Sequence, residues 1–208
     1  QKSMSLFLKF LVAAVAAGTP LLFGTVGEIL NEKVGHLNLG VEGMMYMGAA
    51  FAFMGGYISG SPVVALLFAI GAGVLGALIY AFLTITLRAN QNVTGLALTT
   101  FGMGVANFFG VFILNGASYT AAPLANKAFS AKIPVLSGLG VAGQVLFSYG
   151  FLVYAAILLA IVLQWFFTRT RVGLNLRAVG ENPATADAAG ISVTKYKYLA
   201  TCIGAAIC

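Results

Sequence analysis

The chain has 208 residues, of which 60% are apolar and 8% are charged, and its formal net charge is +6. An ordinary soluble domain is about 25% charged, and so short a chain cannot enclose this much apolar surface in its own core. The composition therefore excludes a soluble globular protein and indicates an integral membrane protein. The Lys and Arg residues are scattered and cluster only beside apolar runs, so we expect no nucleic-acid partner.

Five runs are long and apolar enough to cross a bilayer as helices, and none shows the alternation expected of a transmembrane barrel strand. In chain order, the predicted spans are Leu6–Val26, Leu39–Ile58, Pro62–Leu87, Val93–Leu114 and Phe147–Phe167. A sixth begins near Tyr198, but the ten residues from Leu199 to Cys208 cannot cross a hydrocarbon core about 30 Å thick. We expect an all-α polytopic bundle forming one domain over residues 1–208, truncated at its C-terminus.

The first span has an alternative interpretation. Lys2 and Lys9 precede an apolar run that contains Ala14-Val15-Ala16, as in a signal peptide with a small-residue cleavage site. The apolar character continues as far as Val26, which is longer than the apolar region of a signal peptide and favours a retained span.

The second predicted span carries an ionisable residue, Glu42, near its start. If the helix begins at Asn38, then Asn38, Glu42 and Tyr46 share one face. An ionisable group inside a span generally faces the bundle interior or a watery cavity, because facing lipid costs several kcal/mol. Glu42 is therefore a candidate for a translocation pathway, or alternatively an interfacial residue that accepts hydrogen bonds from backbone amides.

The fourth span carries polar residues on one face and phenylalanines on another. Thr100, Gly104 and Asn107 are spaced to share a face, and Asn92 is placed to cap the helix or to contact a solute. Small residues such as Gly71, Gly73, Gly76, Gly102 and Gly104 indicate close helix packing. The predicted pathway residues are Asn38, Glu42, Asn92, Thr94, Thr100 and Asn107.

A polar segment, residues 168–198, separates the fifth span from the sixth. Asn182 is a good N-cap, Pro183 suits the first helical position and Gly190 can end a helix in the left-handed conformation. A short helix over Pro183–Ala189 is therefore predicted, and its small side chains suit a groove on another protein. An ordinary loop between helices is the alternative.

Loop charges predict the orientation, because cytoplasmic loops hold an excess of Lys and Arg. One side carries seven such residues, Lys33, Arg88, Arg169, Arg171, Arg177, Lys195 and Lys197. The other side carries three, Lys2, Lys127 and Lys132. The polar segment is predicted to be cytoplasmic and the N-terminus to lie outside.

No catalytic motif is present, so we expect a protein that is not an enzyme. Cys202, Cys208 and His36 lack the spacing of metal ligands, and no metal site is predicted.

Two motifs resemble the permease subunits of ABC importers in the branched-chain amino acid, ribose and nucleoside superfamily, and most of all its nucleoside, or simple sugar, branch. The first is Gly35-His36-Leu37-Asn38-Leu39-Gly40-Val41-Glu42-Gly43-Met44-Met45. The second is Gly173-Leu174-Asn175-Leu176-Arg177-Ala178-Val179-Gly180-Glu181-Asn182-Pro183, followed by Ala186 and Gly190, which is similar to the family's cytoplasmic coupling loop.

The resemblance implies a multi-pass protein of a bacterial or archaeal cytoplasmic membrane that moves a nucleoside-like solute by alternating access. It implies an ABC ATPase subunit that binds ATP and Mg, a second permease that is a different chain, an extracytoplasmic solute-binding protein, and no cofactor on this chain. The implied ATPase-coupling residues are Arg177, Gly180, Glu181, Asn182, Pro183, Ala186, Asp187 and Gly190. A simple sugar such as ribose is the alternative solute, and a channel or secondary transporter that needs no ATPase is the alternative class.

Overall fold

The computed structural model describes residues 6–114 and 149–208 of the chain. The regular elements in these ranges are helices, as the continuous apolar runs predict. They are α1 Leu6–Lys33, α2 Val41–Ser59, α3 Pro62–Ala81 with a π-helical turn at Phe82–Thr86, α4 Gln91–Leu114, α5 Phe151–Arg169, α6 Arg171–Glu181, α7 Pro183–Ala188 and α8 Val193–Ile207.

Four stretches of the described helices are long and apolar enough to cross a membrane: Phe10–Lys33, Pro62–Thr86, Gln91–Val111 and Phe151–Arg169. The predicted second span is a helix of 19 residues, α2, but it is not among the four. Glu42, two tyrosines and several glycines lower its hydropathy. Three of the basic residues used to predict the orientation, Lys2, Lys127 and Lys132, lie outside the described residues.

Two predicted helix boundaries near the first motif are wrong. Helix α1 continues to Lys33 instead of ending at Val26, because Glu28 and Asn31 find hydrogen-bond partners and remain in the helix. Helix α2 begins at Val41, so Asn38 is not helical and does not share a helix face with Glu42 and Tyr46. Asn38 is buried, whereas Glu42 and Tyr46 are exposed.

The predicted N-cap of α4 is also wrong. The helix begins at Gln91, and the Oδ1 atom of Asn90 accepts hydrogen bonds from the backbone N of Asn92 at 3.0 Å and of Val93 at 3.2 Å. Asn90 therefore caps the helix, and Asn92 is exposed in its first turn.

Glycines allow the helices to approach closely at several crossings. Helix α2 packs against α3 and α4, and α8 packs against α1 and α3. A Cβ atom added to Gly43 would lie 2.6 Å from the carbonyl oxygen of Leu98, and one added to Gly73 would lie 2.7 Å from that of Ala205. The predicted packing role is confirmed for Gly73, Gly76 and Gly102, whereas Gly71 and Gly104 have open space beside them in the described part of the chain.

Candidate coupling site and the network behind it

The short helix α7 forms as its capping residues predict. Asn182 Oδ1 accepts a hydrogen bond from the backbone N of Thr185 at 3.1 Å, and Pro183 occupies the first turn. Gly190 has φ +81°, and the backbone N of Ile191 reaches back to the Ala186 carbonyl at 2.9 Å. A side-chain cap at one end and a left-handed residue at the other satisfy the backbone groups that a free helix end leaves unpaired.

Helix α7 presents one side to solvent and packs the other on the bundle. Its described side chains are exposed except that of Ala186, which is 3% exposed. Ala186 joins a buried cluster made by five helices, whose members are Leu30, Val34, Phe167, Leu176, Val179, Ala186 and Ala200. Ala186 therefore anchors the helix, while Thr185 and Asp187 lie on its accessible side.

Helix α6 was not predicted, and it carries α7. Thr170 caps it by accepting a hydrogen bond from the backbone N of Gly173 at 3.0 Å. Leu176 and Val179 are each 1% exposed and insert into the buried cluster. The buried residues at 173, 176 and 179 are three apart, as on one face of a helix. This spacing is the sequence signal that could have predicted α6.

Outward-facing charges of α6 lie beside α7. Arg177 and Glu181 form an ion pair at 3.9 Å, and their side chains are 44% and 76% exposed. Exposed pairs of this kind contribute about 0–1 kcal/mol to stability. Their accessibility leaves both groups, together with exposed Asp187, available to a partner.

The two sequence motifs meet at a glycine contact, which we call the glycine joint: Gly35 after α1 and Gly180 in α6. A Cβ atom added to Gly180 would overlap the backbone carbonyl of Lys33. One added to Gly35, which has φ +74°, would lie 3.3 Å from the carbonyl oxygen of Gly180. The helix that carries α7 therefore rests directly on the end of α1, backbone against backbone.

Behind this joint, the carboxylate of Glu28 organises the connection between α1 and α2. Its Oε1 atom accepts a hydrogen bond from the backbone N of Asn38 at 2.6 Å, and its Oε2 atom accepts one from Asn31 Nδ2 at 3.0 Å. Asn38 Oδ1 in turn accepts a hydrogen bond from the backbone N of Gly40 at 2.9 Å. The side chain of Asn38 is thus committed to shaping the turn before α2.

The same connection is tied to α3 and α4. Tyr80 donates its hydroxyl hydrogen to the Leu37 carbonyl at 2.6 Å, and Thr99 donates to the Leu39 carbonyl at 2.9 Å. Gln91 Oε1 accepts a hydrogen bond from the backbone N of Leu37 at 3.0 Å. Polar groups buried among apolar helices need such partners. We call Glu28, Asn31, Asn38, Tyr80, Gln91 and Thr99 the connection network.

His36 is buried within this connection. It is 2% exposed, and its ring meets that of Tyr80 edge-on, with 6.3 Å between ring centroids. Burial lowers the pKa of His36 to about 4, and the positive charge of Lys197 lowers it further in the same direction. The imidazole is therefore neutral at physiological pH. Within the described part of the chain, no group of His, Cys, Asp and Glu residues could hold a metal ion.

The structure distributes the predicted pathway residues over different surfaces. On α4, exposed Asn92, Thr100 and Asn107 share one side of the helix. Thr94 lies on the opposite side, where it lines a cavity of about 320 Å³ with Tyr80 and Phe101. Buried Asn38 belongs to the connection network and exposed Glu42 to the start of α2. The six residues do not form one site in this chain, and their pathway role stays a prediction.

Comparison with known proteins matches residues 10–208 to the family described as the permease component of the branched-chain amino acid transport system. A relative in Haloferax volcanii, provisionally named as a glucose ABC transporter permease, is 39% identical over 97% of this chain and 60% of its own length. The guanosine ABC transporter permease of Bacillus subtilis is 34% identical over 92% of this chain and 61% of its own. The nucleoside ABC transporter permease of Lactococcus lactis is 34% identical over 86% of this chain and 58% of its own.

The chain therefore spans about 60% of the length of these curated relatives. No solved structure matches it.

Proposed function

Because the chain belongs to the permease family of branched-chain amino acid transport systems, we propose that it is a membrane-spanning subunit of an ATP-driven importer for a nucleoside-like solute. Members of this family are multi-pass proteins of the cytoplasmic membrane, and the apolar helices of this chain agree with that location. In the proposal, α2 and α8 belong to further spans, which makes five complete spans and the beginning of a sixth.

The observation that carries the proposal is the construction of α7. The helix is capped at both ends, exposes Thr185 and Asp187, and is anchored through Ala186. A stable helix with an accessible polar side is suited to docking in a cleft of a separate ATPase subunit, which would bind ATP and Mg. A channel or secondary transporter would have no use for such a helix.

Motion of α7 would be transmitted to the membrane helices through two sets of contacts. The buried cluster and the glycine joint connect α6 and α7 to the end of α1. The connection network then links α1 to the beginnings of α2 and α4 and the end of α3. In the proposed cycle, ATP binding moves α7 and the linked helices open the pathway to the other side. Packed helices switch between two discrete arrangements and do not deform continuously, so a small movement at one end can be transmitted to the other.

Two solutes compete in this proposal. Relatives named for guanosine and for nucleosides favour a nucleoside. The relative provisionally named for glucose favours a simple sugar as the second candidate. An extracytoplasmic binding protein would deliver the solute, and a second permease of different sequence would complete the pathway. Competition by unlabelled nucleosides and sugars for uptake of labelled guanosine would distinguish the two solutes.

Cross-linking tests the docking step. Asp187→Cys in the full-length permease, in a Cys202→Ser, Cys208→Ser background, should cross-link to the co-expressed ATPase subunit. The matched control is Asn107→Cys, which is exposed on α4. Cross-linking of Asp187→Cys alone supports docking through α7. Equal or absent cross-linking of both variants contradicts it.

A further inference from the structure

An apolar cavity of about 230 Å³ lies between α1, α5, α6 and α8. Leu159, Leu163 and Phe166 of α5 and Ala200 and Ile207 of α8 are among the side chains that line it, and none of its lining residues is polar. An apolar cavity of about 150 Å³ already accommodates a benzene molecule. This cavity is therefore large enough for part of a hydrocarbon chain, and an empty cavity would forfeit the contacts of its lining atoms.

The cavity opens sideways between α5 and α8. Three of its lining residues are exposed and form its rim: Val162 is 52% exposed, Leu199 47% and Ile203 43%. Within the described part of the chain, no element covers this opening. In a membrane-spanning protein, an uncovered apolar opening would face the acyl chains of the bilayer, and one of them could enter without any movement of the helices.

Two cationic residues, Arg169 and Lys195, lie beyond the rim towards one end of the bundle. Arg169 lies two helical turns beyond Val162, and Lys195 lies one turn before Leu199, so each is on the side of its helix that carries a rim residue. Helix α6 begins two residues after Arg169, and the side chain of its Asn175 donates a hydrogen bond to the Tyr196 hydroxyl near the start of α8 at 2.9 Å. Arg169 and Lys195 are thus at the same end of the bundle.

Both cations are exposed, and neither forms an ion pair within the described part of the chain, where Arg177 and Glu181 form one. An apolar cavity whose rim ends at two cations matches a molecule with a hydrocarbon chain and an anionic head. We propose that the cavity binds one acyl chain of an anionic phospholipid, with the lipid phosphate held by Arg169 and Lys195.

The bound lipid would touch the element that carries α7. Leu176 of α6 lines the cavity, so an acyl chain packs against the helix that leads to Asn182 and α7. The lipid would therefore stabilise the α1, α5, α6 and α8 arrangement. This inference depends on the membrane location and not on the identity of the transported solute.

Native mass spectrometry of the full-length permease tests the site. The protein is incubated with phosphatidylglycerol or phosphatidylcholine that carry identical acyl chains, and the retained lipid is counted. We expect preferential retention of phosphatidylglycerol. Arg169→Gln and Lys195→Gln should each lower that preference about 5-fold, since a cation near an anionic membrane surface contributes about this factor.

Two further variants serve as controls. Arg88→Gln removes another exposed cation, beyond the end of α3, and should leave the lipid preference unchanged. Ile203→Trp adds volume at the rim, and it should lower retention of both lipids while the thermal unfolding midpoint stays near that of the wild type. If Ile203→Trp fails to fold, the charge variants still decide the result.

Three outcomes would overturn the proposal. Equal retention of the two lipids would leave no role for the cations. An unchanged preference in the Arg169→Gln, Lys195→Gln double variant would place the headgroup elsewhere. Retention of neither lipid by the wild type would mean that protein occupies the cavity, either another part of the longer chain or the second permease.

Discussion

Gly180 of α6 and Gly35 of the α1–α2 connection lie backbone against backbone, and a Cβ atom added to Gly180 would overlap the Lys33 carbonyl. This relationship joins two sequence motifs that are more than a hundred residues apart. It also makes the end of α1 the support for α6, the helix that carries the candidate docking helix α7. Their separate positions in the sequence give no sign of this contact.

Replacing Gly180 with Ala should separate α6 from α1. Forcing an extra carbon into a packed contact costs about 1–3 kcal/mol, so we expect a lower thermal unfolding midpoint and weaker coupling between ATP hydrolysis and uptake. The matched control is Gly71→Ala in α3, where the added carbon meets open space. Gly-to-Ala replacement inside a helix stabilises it by about 0.5–1 kcal/mol. A midpoint in Gly180→Ala equal to or above that of Gly71→Ala would contradict the tight contact.

Replacing Glu28 with Gln should loosen the α1–α2 connection. A carboxylate accepts both observed hydrogen bonds, whereas the amide of Gln has only one acceptor oxygen. An unsatisfied buried group costs about 1–3 kcal/mol. We expect a lower thermal unfolding midpoint and faster amide hydrogen exchange over residues 34–40. Glu32→Gln alters an exposed carboxylate one turn away and should change neither quantity; similar effects of both substitutions would argue against a specific role for Glu28.

Substitutions to Trp should distinguish the two sides of α7. Ala186→Trp overfills the buried cluster and should lower the thermal unfolding midpoint. Asp187→Trp lies on the exposed side, so it should leave the midpoint unchanged and weaken co-purification with the ATPase subunit. Retained association in Asp187→Trp would move the docking surface away from this side of α7.

His36 should make stability depend on pH in acidic solution. Its pKa in the folded chain is about 4, below the ordinary value of 6.5. Between these two values the unfolded state binds more protons, so the stabilising contribution of neutral His36 is complete above pH 6.5 and is lost as the pH falls to about 4. The thermal unfolding midpoint should fall more steeply over this range in the wild type than in His36→Gln. Parallel pH profiles would show that His36 is not buried in its neutral form.

Local features of this chain could be predicted from the sequence, and long-range ones could not. The apolar runs predict the helical class, and Asn182, Pro183 and Gly190 predict α7 because each acts through the backbone next to it. Helix α6 is not predicted from the sequence. Polar residues surround Leu176 and Val179, so the segment resembles a loop although these two residues have helical spacing.

The connection network shows most clearly which contacts cannot be predicted from the sequence. The sequence predicts Asn38 on the face of a helix, but its backbone N donates a hydrogen bond to Glu28, ten residues earlier, and the helix starts after it. Tyr80 and Thr99 join this network from α3 and α4, through contacts that depend on how helices pack. The spacing of residues along one helix predicts which of them share a face, but it does not predict which residues of other helices they contact.

The most direct test of the central claim is uptake of radiolabelled guanosine into proteoliposomes that contain the full-length permease, the second permease and the ATPase subunit, with the solute-binding protein supplied on the outer face. The account predicts uptake that requires hydrolysable ATP and falls sharply in Gly180→Ala while the complex stays assembled. Uptake of guanosine or glucose that proceeds equally without ATP, or without the ATPase subunit, would contradict it.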